Sequence, residues 1–139
     1  MIIDYNKALD DGRYLFLQSE WHKDFDSNCL YSYLVLPCKK NAIRLYYRNK
    51  RPIGLVTWCW FTPEKAKDFV NFEYMPVETD YEKREGTELW VLDFITPYGD
   101  ARKVFSAIKE EYKNIYGEET QVKWRRAKDP LTVHERKLC

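Results

Sequence analysis

Leu89-Trp90-Val91-Leu92-Asp93-Phe94-Ile95-Thr96-Pro97-Tyr98-Gly99-Asp100 runs directly into a segment whose apolar positions Ala101, Val104, Phe105, Ile108, Tyr112, Ile115 and Tyr116 share one stripe. The first seven residues are apolar except for Asp93 and read as a strand. Thr96 to Gly99 is a turn, Asp100 is expected to cap the helix, and Gly117 to stop it. A further strand is expected over Thr120 to Arg125. Strand, helix and strand in this order make a crossover unit, whose helix buries its stripe against a sheet.

Working back from that unit, Ala42 to Tyr47 and Ile53 to Phe61 are strand-like runs joined by Arg48-Asn49-Lys50-Arg51-Pro52, a hairpin signal. Thr62 followed by Pro63 predicts a short helix to Val70, because threonine caps well and proline suits the first helical position. The polar, acidic stretch Asn71 to Gly86 reads as an exposed connection. Cys29 to Leu36 is short, apolar and closed by Pro37, which predicts another strand. Asp4 to Gln18 carries Tyr5, Ala8, Leu9, Leu15 and Phe16 at near-helical spacing, weakened at Gly12 by about 1 kcal/mol relative to alanine, so one helix or two short pieces both fit. The order is helix, strand, strand, strand, helix, strand, helix, strand. It predicts an α/β fold with a mixed, mostly antiparallel central sheet flanked by helices, and residues 1–139 as a single domain. This order resembles the N-acetyltransferase-like acyltransferases, although fold alone does not fix chemistry.

The 139 residues hold 45% hydrophobic and 32% charged side chains, with aromatics at 17%. Eleven Tyr and five Trp point to a core or groove of large, polar-tipped rings. A net charge of +1 gives no support to a general nucleic-acid binder. No apolar run approaches the roughly 20 residues that span a bilayer, and the N-terminus has no leader pattern, so a cytoplasmic location is expected. Cys29, Cys38, Cys59 and Cys139 show no paired spacing, and the histidines are His22 and His134, so no metal site is expected. Buried free thiols are the plain reading of the cysteines.

Two residues invite chemistry. His22, in Ser19-Glu20-Trp21-His22-Lys23-Asp24-Phe25, is of the type that serves as a base near neutral pH, though taken alone such a histidine is more often a surface or capping residue. Asp93 is a carboxylate inside an apolar strand and needs a partner if buried; a structural ion pair is the plain alternative. Strict alternation would put Val91, Asp93 and Ile95 on one face and Trp90, Leu92 and Phe94 on the other. Trp58 and Trp60 share a face and read as core. Lys123, Arg125, Arg126 and Lys128 read as a solvated edge, with a docking patch for an acidic partner as the alternative. GxGxxG, GxxxxGK[ST] and GxSxG are all missing. The turn before the last helix offers only Gly99 for cradling a pyrophosphate.

The chain resembles the bacterial lysine acyltransferases that activate RTX protoxins. Ser19 to Phe25 is similar to that family's Ser-Pro-Leu-His-Arg-x-Trp. Val35-Leu36-Pro37 through Pro52-Ile53-Gly54-Leu55-Val56-Thr57-Trp58 follows its Leu-Pro, strand, turn and strand with Ser-Trp. Leu89 to Asp100 resembles Leu-Trp-x-x-Asp-x-x-Ala-Pro-Phe-Gly. The resemblance implies His22 and Asp93 as catalytic residues, His22 as base or as acyl acceptor and Asp93 as its partner. It also implies a fatty acyl donor on acyl carrier protein rather than a bound cofactor, an internal lysine of an RTX-type protoxin as acceptor, and pairing as a homodimer. Glu20-Trp21 stands where the family has Pro-Leu, and Phe25 where it has tryptophan. Where the family has an oxyanion-stabilising asparagine, this chain has Tyr33 or Leu34, so a backbone N–H or Ser32 would have to serve. Ser19 is a further supporting candidate beside His22. The competing readings are a coenzyme A-dependent small-molecule acyltransferase and a non-catalytic binding module.

Overall fold

The computed structural model describes residues 4–126 and 129–137, with side chains up to Arg125. Helix α1 (Tyr5–Leu17) is capped by Asp4. A second helical run, capped by Asp26, comprises α2 (Ser27–Leu30), a π turn (Tyr31–Val35) and α3 (Leu36–Lys39). Then come β1 (Ile43–Arg48), β2 (Arg51–Phe61), α4 (Pro63–Val70), a 3-10 turn (Glu78–Tyr81), β3 (Glu88–Ile95), α5 (Ala101–Tyr116), β4 (Gln121–Arg126) and β5 (Asp129–Lys137). The strands form one mixed sheet in the order β1-β2-β3-β4-β5, antiparallel except for the parallel pair β3 and β4.

Helices cover both faces of the sheet, and the alternation of β2 assigns them. Gly54, Val56, Trp58 and Trp60 point one way. A Cβ on Gly54 would stand 2.7 Å from Val104, and Trp58 and Trp60 meet Tyr112 and Tyr116 edge-on at 5.1 and 4.9 Å, so this face belongs to α5. Leu55, Thr57, Cys59 and Phe61 point the other way. There α1 approaches so closely at Gly12 that a Cβ would lie 3.3 Å from Leu55 and 2.6 Å from Leu34, and Phe61 packs on Phe69 of α4 at 5.1 Å.

The mixed sheet and its flanking helices agree with the expected class, and several local expectations need correction. Residues 29–36 are helical. Asp26 accepts from the Cys29 backbone N–H at 2.9 Å and starts a helix that the apolar composition hides. Pro37 lies within this helical run and does not close a strand. It lacks an N–H and would crowd an ordinary turn, and immediately before it the Leu36 N–H reaches back five residues to the Tyr31 carbonyl. The connection over residues 71–86 is not wholly exposed. Asp80 and Tyr81 are buried; Asp80 accepts from the Tyr74 hydroxyl, the Val77 N–H and Lys65. Asp100 stands at the N-cap of α5 without capping it, since its carboxylate accepts from Arg48 at 2.6 Å. Strand β5 was not expected at all. Lys128 and Cys139 lie outside the described residues.

Alternation along β3 also fails. Thr57 pairs with Asp93, but the next residue, Trp58, pairs with Val91, so Leu92 is bulged. Directly paired residues point to the same face. Asp93 and Ile95 therefore lie on the Thr57 and Leu55 face, while Val91 lies with Trp58 against α5. A bulge that re-aims one side chain recurs beside functional sites.

Candidate active site

The turn after α1 folds back on itself, with the His22 N–H bonded to the Ser19 carbonyl at 3.1 Å. This places the His22 ring under the sheet, between Phe16 (centroids 4.8 Å apart) and Phe25 (5.1 Å). His22 Nε2 lies 2.5 Å from Asp93 Oδ1, and Nδ1 lies 2.6 Å from Ser19 Oγ. The second carboxylate oxygen, Oδ2, accepts from the Thr57 hydroxyl at 2.9 Å, and that hydroxyl also receives the Asp93 backbone N–H at 3.1 Å. His22 is 7% exposed, Asp93 4% and Thr57 0%, so the chain of contacts is shielded from bulk water.

These partners fix the proton positions. Asp93, as a carboxylate, only accepts, so in the neutral ring Nε2 carries the hydrogen and donates it to Oδ1. Nδ1 then holds the free lone pair, and the Ser19 hydroxyl donates to it. The arrangement is a base whose orientation is set by a buried acid, with a hydroxyl resting on the basic nitrogen.

His22 and Asp93 line a cleft of about 1230 Å³. It passes through a split in the sheet. Strands β3 and β4 pair only at Leu89 with Val122 and at Trp90 with Lys123, and beyond these they diverge. One mouth is walled by Trp21, Phe25, Cys29 and Tyr33, while Phe105, Ile108 and Tyr112 of α5 line the far side. Phe72, Tyr74 and Met75 of the connection after α4 add a further wall. The lining is largely apolar and aromatic, which suits a long hydrocarbon chain more than a polar metabolite.

Of the other sequence candidates, Ser19 joins His22, whereas Ser32 does not reach the cleft. Its hydroxyl is buried and donates to the Pro76 carbonyl at 2.6 Å, so it has no hydrogen left for a substrate. Leu34 packs in the core with 2% exposure, and Tyr33 faces the cleft. The basic cluster is not a uniformly solvated edge. Lys123 pairs with Glu88 at 2.8 Å, while Arg125 is half-buried and turned into the cleft. Its guanidinium lies 3.8 Å from the ring centre of Phe69 and 4.4 Å from that of Phe72, and it donates to the Phe69 carbonyl. Burial lowers the pKa of Arg125, while the Tyr33 phenol and the Asp93 charge favour its cationic form. The Cys29 thiol is pushed above its ordinary value, first by burial and then by Asp26.

Thr57 was missed by the sequence reading. It is the one polar residue between Ile53 and Trp58, and its solitary place among apolar neighbours was the available signal. The cross-strand register that sets it beside Asp93 was not visible. Among the described residues, no three His, Cys, Asp or Glu side chains converge as a metal-ligand set. Among the same residues, no helix is long and apolar enough to cross a membrane.

Comparison with known proteins bears on the same elements. An uncharacterized protein of Synechocystis, sll0720, is 25% identical over 106 residues, covering 74% of this chain and 70% of that protein. The model of the RTX toxin acyltransferase family (HlyC) matches residues 3–136, a span that takes in the described strands β1 to β4, the Ser19 to Phe25 turn and the cleft. The chain therefore belongs to the RTX toxin acyltransferase family.

Proposed function

We propose that the protein transfers a fatty acyl group from the thioester of acyl carrier protein to internal lysines of an RTX-type protoxin, with His22 as general base and Asp93 as the residue that orients and charges it. The observation that carries this reading is the Ser19–His22–Asp93–Thr57 chain, buried from His22 to Thr57, beside an apolar cleft. An acceptor lysine, with a reference pKa near 10.4, is almost wholly protonated at neutral pH and must lose a proton to attack. Nδ1 receives that proton, either directly, when the amine displaces Ser19, or through the Ser19 hydroxyl. Asp93 stabilises the imidazolium that results, and general base catalysis of this kind is worth about 10² to 10⁴-fold. The fold reading is an N-acetyltransferase-like sheet, supported by the split between parallel strands β3 and β4.

The donor is read as acyl carrier protein because the start of α5 is poorly suited to a coenzyme A pyrophosphate. Helix N-termini bind phosphate through free N–H groups and positive potential. Here the partly buried Asp100 carboxylate, paired with Arg48, puts negative charge beside that end. On this reading the reaction takes place in the cytoplasm, where the charged carrier protein is made.

The test is a transfer assay with one long acyl chain carried either by acyl carrier protein or by coenzyme A. An RTX-type protoxin is the acceptor, and its lysines are mapped by mass spectrometry. The expected product is an amide on internal lysines, formed from the carrier-protein thioester. Transfer from coenzyme A alone would replace the donor, and no lysine amide from either donor would overturn the reading.

A further inference from the structure

Adding an amine to a thioester drives the carbonyl electrons onto oxygen, and a donor aimed at that oxygen is worth about 10² to 10³-fold. The side chains bonded around His22 do not supply it. Asp93 accepts, and the Nε2 hydrogen is held by Asp93. The hydroxyls of Ser19, Ser32, Thr57 and Tyr74 point to His22, Pro76, Asp93 and Asp80. The Tyr33 phenol and the Arg125 guanidinium line the same cleft as His22 and Asp93, and each feels the Asp93 charge.

We propose that the Tyr33 hydroxyl donates the hydrogen bond that stabilises this oxyanion, and that Arg125 holds the phenol in place. This rests on the acyl-transfer reading above. The Tyr33 ring packs at 5.7 Å on Phe25, which itself packs on His22, so three rings connect the phenol to the base. Arg125 reaches from β4 across the split and is clamped between Phe69 and Phe72. The two groups interact electrostatically, and in the proposed arrangement the guanidinium, which has donors and no acceptor, turns its N–H groups to the phenol oxygen. The phenol hydrogen is then directed away from Arg125, free for an acceptor in the cleft. Burial and the Asp93 charge push the phenol pKa up, which keeps that hydrogen in place throughout the working pH range.

In the resulting step the lysine enters as the neutral amine, its first proton having passed through His22 to solvent; its nitrogen forms a bond to the carbonyl carbon, and the carbonyl π pair moves to the oxygen held by Tyr33. His22 takes the proton lost by nitrogen. When the intermediate collapses, the C–S bond breaks, sulfur leaves with its electron pair and receives the proton from the imidazolium. The products are an amide and a thiol. Tyr33 keeps its hydrogen from start to finish and is a catalytic residue as a donor; Arg125 is a positioning residue.

The experiment measures kcat and KM across pH for wild type, Tyr33→Phe, Arg125→Lys and the double variant. The probe is long-chain acyl thioester on acyl carrier protein, with an RTX-type protoxin as acceptor. Tyr33→Phe keeps the ring against Phe25, so its unfolding midpoint should match wild type. Its kcat should fall by about 10²-fold or more, with KM changed by less than about threefold and the shape of the pH profile retained. Arg125→Lys should lower kcat by about 10-fold, and the double variant should be no slower than Tyr33→Phe alone. Tyr33→Phe with wild-type kcat, or with a loss carried by KM alone, would overturn the role of Tyr33. Losses that multiply in the double variant would overturn the positioning role of Arg125. Inactive wild type would remove the acyl-transfer reading itself, a result distinct from active wild type beside an equally active Tyr33→Phe.

Discussion

Strand β2 shows its odd and even residues to two different environments. Toward α5 it presents Gly54, Val56, Trp58 and Trp60, and Gly54, Trp58 and Trp60 meet Val104, Tyr112 and Tyr116 in a largely aromatic layer. Toward α1 and the helical run it presents Leu55, Thr57, Cys59 and Phe61, and a single polar member, Thr57, anchors the chain of contacts through Asp93 to His22. The α5 face follows regular periods of both helix and strand. The opposite face departs from them three times, with a bulge at Leu92, a π turn over Tyr31–Val35 and the tight turn that carries His22. Regular packing thus makes a platform, and the irregularities aim side chains into the split between β3 and β4.

Substitutions on the two faces should separate stability from chemistry. Trp58→Ala removes the ring against Tyr112 and should cost about 3–5 kcal/mol of stability, read by denaturant unfolding. Activity per folded molecule should be retained if the α5 layer is only a platform. Thr57→Val, one residue away but on the other face, should cost less, about 1.5–3 kcal/mol for a lost bond to a buried carboxylate. Transfer should nevertheless fall at temperatures where the variant is fully folded. Gly12→Ala sharpens the packing side of the comparison. An exposed helical glycine gains about 1 kcal/mol on this change, but here the new Cβ would stand 2.6 Å from Leu34, so a net loss of about 1–2 kcal/mol is expected. The smallest effect concerns Cys29 in the cleft wall. Its raised pKa keeps the thiol neutral at and below its ordinary value, so alkylation near neutral pH should be slow, speed up as pH rises, and slow further when an acyl chain fills the cleft. Peptide mapping of alkylated Cys29 reads this directly.

The legible parts of the fold were those where one local signal decided the outcome. Thr62 with Pro63 located α4 at Pro63–Val70, and the stripe ending at Gly117 located α5. The apolar runs located β1 to β4 to within two residues at each end. Residues 29–36 were misread because an apolar octet fits strand and buried helix alike, and the deciding cap, Asp26, lies just outside it. The strand carrying Asp93 was visible, but the face on which it points depended on a bulge that only pairing with β2 reveals. His22 and Asp93 could be singled out from residue type, context and resemblance. Their contact spans 71 positions in sequence, and nothing local encodes it. Arg125 looked like one more surface cation until its setting between Phe69 and Phe72 was seen.

The central claim is that the His22–Asp93 pair is the transfer centre, and the most direct test is the rate of lysine acylation by His22→Ala and Asp93→Asn, each with its unfolding midpoint measured beside it. The account predicts losses of about 10² to 10⁴-fold in both variants, with most of the protein still folded at the assay temperature. Wild-type rates in a folded His22→Ala variant would contradict it.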